Sequence, residues 1–94
     1  MAGIKKDQTN LKLIVDCQVD VSAATTLKIY WEKPDATTGD LTATLVDGST
    51  TKIQYIFAAA SFVDQVGRYG IRAYSDGPDG EVYGDWDYFY VEEE

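Results

Sequence analysis

The sequence predicts an all-β domain, an antiparallel two-sheet sandwich of about seven strands. Three observations carry that expectation. Apolar and polar residues alternate with a period of two through most of the chain, as they do in strands with one buried face. Clusters of Gly, Asp, Asn, Ser and Pro interrupt the alternation at short intervals. No convincing amphipathic helix and no internal repeat is present, and 94 residues suffice for a single core, so residues 1–94 are read as one domain.

Taken in order, residues 4–8 form a short edge strand, closed by the polar break Gln8-Thr9-Asn10. Residues 11–19 place Leu11, Leu13, Val15, Cys17 and Val19 on one face of a strand. Residues 25–33 put Leu27, Ile29 and Trp31 inward against Lys28, Tyr30 and Glu32, and Pro34 ends the strand by removing a ladder donor. Residues 35–40 read as a turn, and residues 41–46 as a strand with Leu41, Ala43 and Leu45 together. Asp47-Gly48 predicts a type I′ hairpin turn, with positive φ at both positions, leading into a strand over residues 51–57. Residues 58–64 are too short for an independent helix and predict one helical turn carrying Phe62 under the sandwich. Residues 68–75 form the next strand and Asp76 to Gly80 a tight connection. A last strand follows over residues 81–91, with a bulge near Gly84.

The stretch Asp64-Gln65-Val66-Gly67-Arg68-Tyr69-Gly70-Ile71-Arg72-Ala73 organises the rest. Gly67 supplies the backbone freedom of a turn, and Tyr69 enters the strand that follows, with Ile71 and Ala73 on its face. This is the layout of a tyrosine corner, in which a Tyr hydroxyl bonds backbone a few residues upstream. On that immunoglobulin-like plan Trp31 is the core Trp of the third strand. Ile71 stands where antibody domains carry the second cysteine, so an apolar contact with Cys17 takes the place of a disulfide.

Sixteen acidic against eight basic residues give a net charge of −8, which repels phosphate backbones and anionic lipid, so neither nucleic acid nor a membrane is an expected partner. No apolar run has the length of a membrane span, and the amino-terminal residues lack the apolar core of a secretion signal. The lone Cys17 reads as a small buried hydrophobe and not as a reactive thiol.

With no His and one Cys, Ser-His and Cys-His nucleophile systems and thiolate zinc sites are excluded. Asp85 and Asp87 could pair as acid and base, but beside aromatics on an exposed strand they read as a solvated face. Asp76, Asp79, Glu81, Asp85 and Asp87 offer calcium-type oxygen ligands, yet the spacing departs from the calcium loop and the loop residues already serve turns. No catalytic residue, metal site or cofactor is expected. Tyr83, Trp86, Tyr88 and Tyr90 exceed what one inward row can use. If Phe89 and Val91 point inward, they form an outward stripe suited to a protein interface or to sugar stacking.

The segments Ala24-Thr25-Thr26-Leu27-Lys28-Ile29-Tyr30-Trp31-Glu32-Lys33-Pro34-Asp35, Val66-Gly67-Arg68-Tyr69-Gly70-Ile71-Arg72-Ala73 and Asp87-Tyr88-Phe89-Tyr90-Val91, with a hairpin between the first two, resemble the small immunoglobulin-like proteins of phage and prophage structural gene clusters. They also resemble the amino-terminal domain of phage baseplate upper proteins. The resemblance implies a non-enzymatic virion component of a tail, neck, baseplate or capsid accessory, made in the host cytoplasm. Its implied partners are other phage structural proteins or a second copy of itself. The shared positions are fold positions, so no functional residue carries over. A carbohydrate-binding or adhesion module using the same aromatics is the alternative.

Overall fold

The computed structural model describes residues 4–57, 62–78 and 80–93. Among them the chain is all-β, in nine strands: β1 (Ile4–Lys5), β2 (Lys12–Asp16), β3 (Thr26–Glu32), β4 (Thr38–Thr42), β5 (Thr44–Leu45), β6 (Lys52–Ile56), β7 (Gly67–Gly77), β8 (Gly80–Tyr83) and β9 (Asp87–Glu92). One sheet has the order β1-β9-β7-β3-β4, with β8 also paired to β7, and the other the order β2-β6-β5. Their inner faces enclose one core. Leu11, Leu13, Val15, Cys17 and Ile53 contribute to it from the smaller sheet and its flanks, and Ile29, Tyr69, Ile71, Ala73 and Val91 from the larger.

The alternation read from the sequence sets these rows. Leu11, Leu13, Val15 and Cys17 are all buried, and burial together with the neighbouring Asp16 carboxylate pushes the Cys17 thiol upward from its ordinary pKa. Ile71 and Cys17 belong to the same apolar cluster. Trp31 is half-buried, packed on the core and edge-on to Phe62 at 5.7 Å.

Nine strands replace the expected seven because two predicted strands are each divided. Residues 41–46 do not form one strand. β4 runs in the larger sheet and β5 in the smaller, and the buried Ala43 stands at the crossing, its N–H still bonded to Leu27 O at 2.8 Å. Leu41, Ala43 and Leu45 face the core on both sides of that crossing, so one apolar row serves two sheets. The predicted turn over residues 35–40 is also shorter, because Thr38, Gly39 and Asp40 already pair with Glu32, Trp31 and Tyr30. The last strand is divided into β8 and β9 by Gly84-Asp85-Trp86. There Arg72 and Ala73 of β7 stand opposite three residues, a one-residue bulge at the predicted place.

The larger sheet is mixed where an antiparallel sandwich was expected, because β1 runs parallel to β9, while the smaller sheet is antiparallel throughout. Asp7 and Asn10 take left-handed φ of 63° and 55° and turn the chain from that edge into the other sheet. Val19 leaves the apolar row. The Asp16 carboxylate accepts the Gln18 N–H at 2.7 Å, Gln18 takes φ of 64°, and the strand ends there, so Val21 is buried in place of Val19. At Asp47-Gly48 only Gly48 has positive φ, so the turn is not type I′. Ser49 N–H closes it on Val46 O at 2.9 Å, and the Ser49 hydroxyl accepts the N–H groups of Thr51 and Lys52. Residues 58–61 of the predicted helical turn lie outside the described residues; Phe62 and Val63, which follow, are buried in the core.

At the head of β7, Gly67 has φ of 135° and Tyr69 is fully buried. The Tyr69 hydroxyl accepts the Gln65 N–H at 3.1 Å and donates to Phe62 O at 3.2 Å. Its ring stacks on Phe89 at 5.3 Å and tilts against Phe62 at 5.5 Å. The β3–β4 loop is tied to this corner by three hydrogen bonds, one of them from the Asp35 N–H to Gln65 Oε1 at 3.2 Å. Lys33 Nζ bonds Asp64 at 2.9 Å, and Gln65 Nε2 bonds Asp35 at 3.0 Å.

Those contacts give the corner a pH dependence. The hydrogen bond from Lys33 holds Asp64 below the usual aspartate range, and those from Thr37 do the same for Asp35. A depressed carboxylate stabilises the folded state above its unfolded pKa, and that stabilisation is lost as pH falls through the lower folded value. Denaturant midpoints are therefore expected to fall as pH drops below the ordinary aspartate value of about 4. Lys33→Met should flatten that dependence, and an unchanged slope in the variant would show that the tie contributes nothing. Both carboxylates are largely exposed, so the effect is small.

Candidate functional site

The candidate site is the outward face of the larger sheet. Ile29, Ile71 and Ala73 point inward, so the intervening residues of β3 and β7 point out, and antiparallel pairing sets them side by side. Tyr30 lies between Asp40 of β4 and Arg72 of β7; Lys28 lies between Thr42 and Tyr74, and Tyr74 faces Tyr83 of β8. On β9, Tyr88 faces Gly70 and Tyr90 faces Arg68.

The rings interlock. Tyr74 meets Tyr30 edge-on at 5.5 Å and Tyr83 at 4.9 Å, and Tyr83 lies nearly parallel to Tyr30 at 6.4 Å. The Arg72 guanidinium lies 5.0 Å from the Tyr83 ring and 5.3 Å from the Trp86 ring, and its Nε donates to Gly84 O at 3.2 Å. The Arg68 guanidinium lies over Tyr88 at 4.5 Å. Gly70 makes room for this arrangement: a Cβ there would stand 3.1 Å from Tyr88 and 3.2 Å from Trp86. The Tyr74 hydroxyl donates to Glu81 at 2.5 Å, a bond that pushes its pKa well above the ordinary tyrosine value.

Two hollows open on this face. The larger, of 520 Å³, is lined in part by Tyr30, Thr38, Asp40, Arg72, Tyr83 and Trp86. The smaller, of 250 Å³, is lined in part by Glu32, Pro34, Arg68, Gly70 and Tyr88.

All four aromatics singled out in the sequence are on the surface. Tyr90 is 65% exposed, Tyr83 53%, Tyr88 51% and Trp86 37%, while Phe89 packs on the core and Val91 is buried. Tyr30, Asp40, Arg68, Arg72 and Tyr74 were missing from that reading. The signal for them lay in the inward rows of β3 and β7, whose alternate residues must share the opposite face once the two strands are neighbours. Asp85 and Asp87 are exposed, and the Glu81 carboxylate is engaged by Tyr74. Asp79 of the acidic loop lies outside the described residues. Among the described residues no group of three or more Cys, Asp or Glu side chains is placed to hold a metal ion, and no helix is long and apolar enough to cross a membrane.

Comparison with known protein families, curated proteins and solved structures finds no match to this chain.

Proposed function

We propose that the chain is an immunoglobulin-like domain that serves as a non-enzymatic contact module of a bacteriophage particle, docking a neighbouring structural protein through the outward face of its larger sheet. The fold part rests on strand order. β2-β6-β5 corresponds to the B, E and D strands of that plan, and β9-β7-β3-β4 to G, F, C and a following edge strand, with β1 parallel to the last strand. The buried Tyr69 sits at the head of the strand equivalent to F, bonded to the backbone of Phe62 and Gln65. The phage part rests on the sequence resemblance alone.

The contact part is carried by one observation: four large aromatic side chains stand exposed together, three of them held by two arginines, on a face with no covering element among the described residues. Tyr, Trp and Arg are the side chains most often found as interface anchors, since they bury much area at little entropic cost. Contiguous exposed aromatics of this kind mark interaction sites on soluble domains.

A saccharide ligand is the second reading. It is favoured by the 520 Å³ hollow, where ring faces meet the donor Arg72 and the acceptor Asp40, as sugar recognition requires. Replacing Trp86 and Tyr88 together by Ser separates the two. With circular dichroism unchanged, assembly into particles or binding to neighbouring structural proteins is expected to fall by at least about a hundredfold, the loss of two anchors. Unchanged assembly, with glycan-array binding lost, would reject the protein-contact reading in favour of the saccharide.

A further inference from the structure

Both arginines of the chain, Arg68 and Arg72, lie on β7 and on the same face, four residues apart. In a chain with sixteen acidic residues, an arginine would be expected to find a carboxylate. Neither does. The ion pairs among the described residues all use lysines, Lys5, Lys6, Lys28 and Lys33, and no described carboxylate lies within 4.0 Å of either guanidinium. Each guanidinium is laid on aromatic rings instead, and the two line different hollows. The Nε of Arg72 is used by Gly84 O, while its terminal amino groups and the whole fork of Arg68 make no hydrogen bond among the described residues.

A guanidinium stacked on rings has already lost much of its side-chain freedom and part of its hydration, and its planar fork matches a carboxylate with two parallel hydrogen bonds. The backbone positions that carry the two forks, four residues apart on one strand, are about 13 Å apart, the spacing of positions i and i+4 on a second extended segment running along β7. Between them the rings of Tyr88 and Trp86 lie over Gly70, so the segment would cross ring faces and not a polar ridge.

We infer that Arg68 and Arg72 are the receiving groups of this face for two carboxylates of an extended acidic segment of the partner protein, with Asp or Glu side chains four residues apart. The inference rests on the contact reading above and narrows the partner. Net charge alone points to a basic or neutral partner, but the two stacked forks make this face a local exception, effective within a Debye length of about 8 Å.

The test uses the intact protein and nuclear magnetic resonance of its two arginine Nε–H signals, assigned through Arg68→Lys and Arg72→Lys. The probe is a synthetic Thr/Val-rich peptide with Glu at two positions four apart; its controls are the same peptide with Gln and oligogalacturonate. Both signals should move and saturate with the Glu peptide, and the Gln peptide should bind at least about tenfold more weakly. Arg72→Lys, which keeps the charge and loses the fork, should weaken binding by about tenfold with the circular-dichroism spectrum of the folded domain retained. Equal response to the Glu and Gln peptides, no response to either, or response to oligogalacturonate alone would overturn the inference. If Trp86→Ser with Tyr88→Ser abolishes assembly while Arg68→Lys and Arg72→Lys leave it intact, the contact reading stands and the carboxylate inference fails.

Discussion

Replacing Tyr69 by Ala is expected to cost about 3–5 kcal/mol, the range for removing a large buried aromatic side chain. The ring is fully buried between Phe62 of the preceding turn and Phe89 of β9, so its loss leaves a cavity that these neighbours cannot both close. Against a total stability of about 5–15 kcal/mol for a domain this size, that removes a large share, and a parent at the low end of that range would be left partly unfolded. Tyr69→Phe isolates the hydroxyl. It strands the Gln65 N–H and Phe62 C=O, and should cost about 1–3 kcal/mol, or a fall in Tm of about 4–8 °C per kcal/mol. A Tyr69→Phe loss below about 0.5 kcal/mol, the usual scatter for inconsequential substitutions, would mean that the corner does not hold the strand entrance.

The second large effect is expected at Gly39. Its φ is not left-handed, so the residue is not glycine for backbone reasons. Space decides: a Cβ there would stand 2.4 Å from Trp31 Cζ2, inside any permitted contact. Gly39→Val must therefore push the indole off its seat against Phe62, a clash costing about 1–3 kcal/mol. Urea unfolding of a Trp86→Phe background, in which Trp31 is the remaining tryptophan, reads both consequences. The midpoint should fall and the native emission should shift to the red. A midpoint and spectrum equal to the parent would show that Trp31 does not rest on Gly39.

Gly39 also shows where sequence reading stops. As a letter between Thr38 and Asp40 it signals a turn; its role under Trp31 exists only once β4 pairs with β3. The tyrosine corner was legible because Gly67, Tyr69 and the backbone they fasten lie within eight residues of one another. The inward rows were legible because alternation is local. The crossing at Ala43 was hidden because Leu41, Ala43 and Leu45 keep one alternation while the chain changes sheet. Half of the aromatic face could be read from β8 and β9 alone. The other half, Tyr30, Arg72 and Tyr74, is assembled by strand order, with β3 and β7 adjacent and β8 folded back on β7.

The central claim, that the outward aromatic face is the contact surface, is tested most directly by hydroxyl-radical footprinting of the domain alone and in its native assembly. Tyr83, Trp86, Tyr88 and Tyr90 should lose reactivity on assembly, whereas Ile14 and Ile56, exposed on the smaller sheet, should keep theirs. Equal oxidation of the four aromatics in both states, or protection at Ile14 and Ile56 instead, would contradict it.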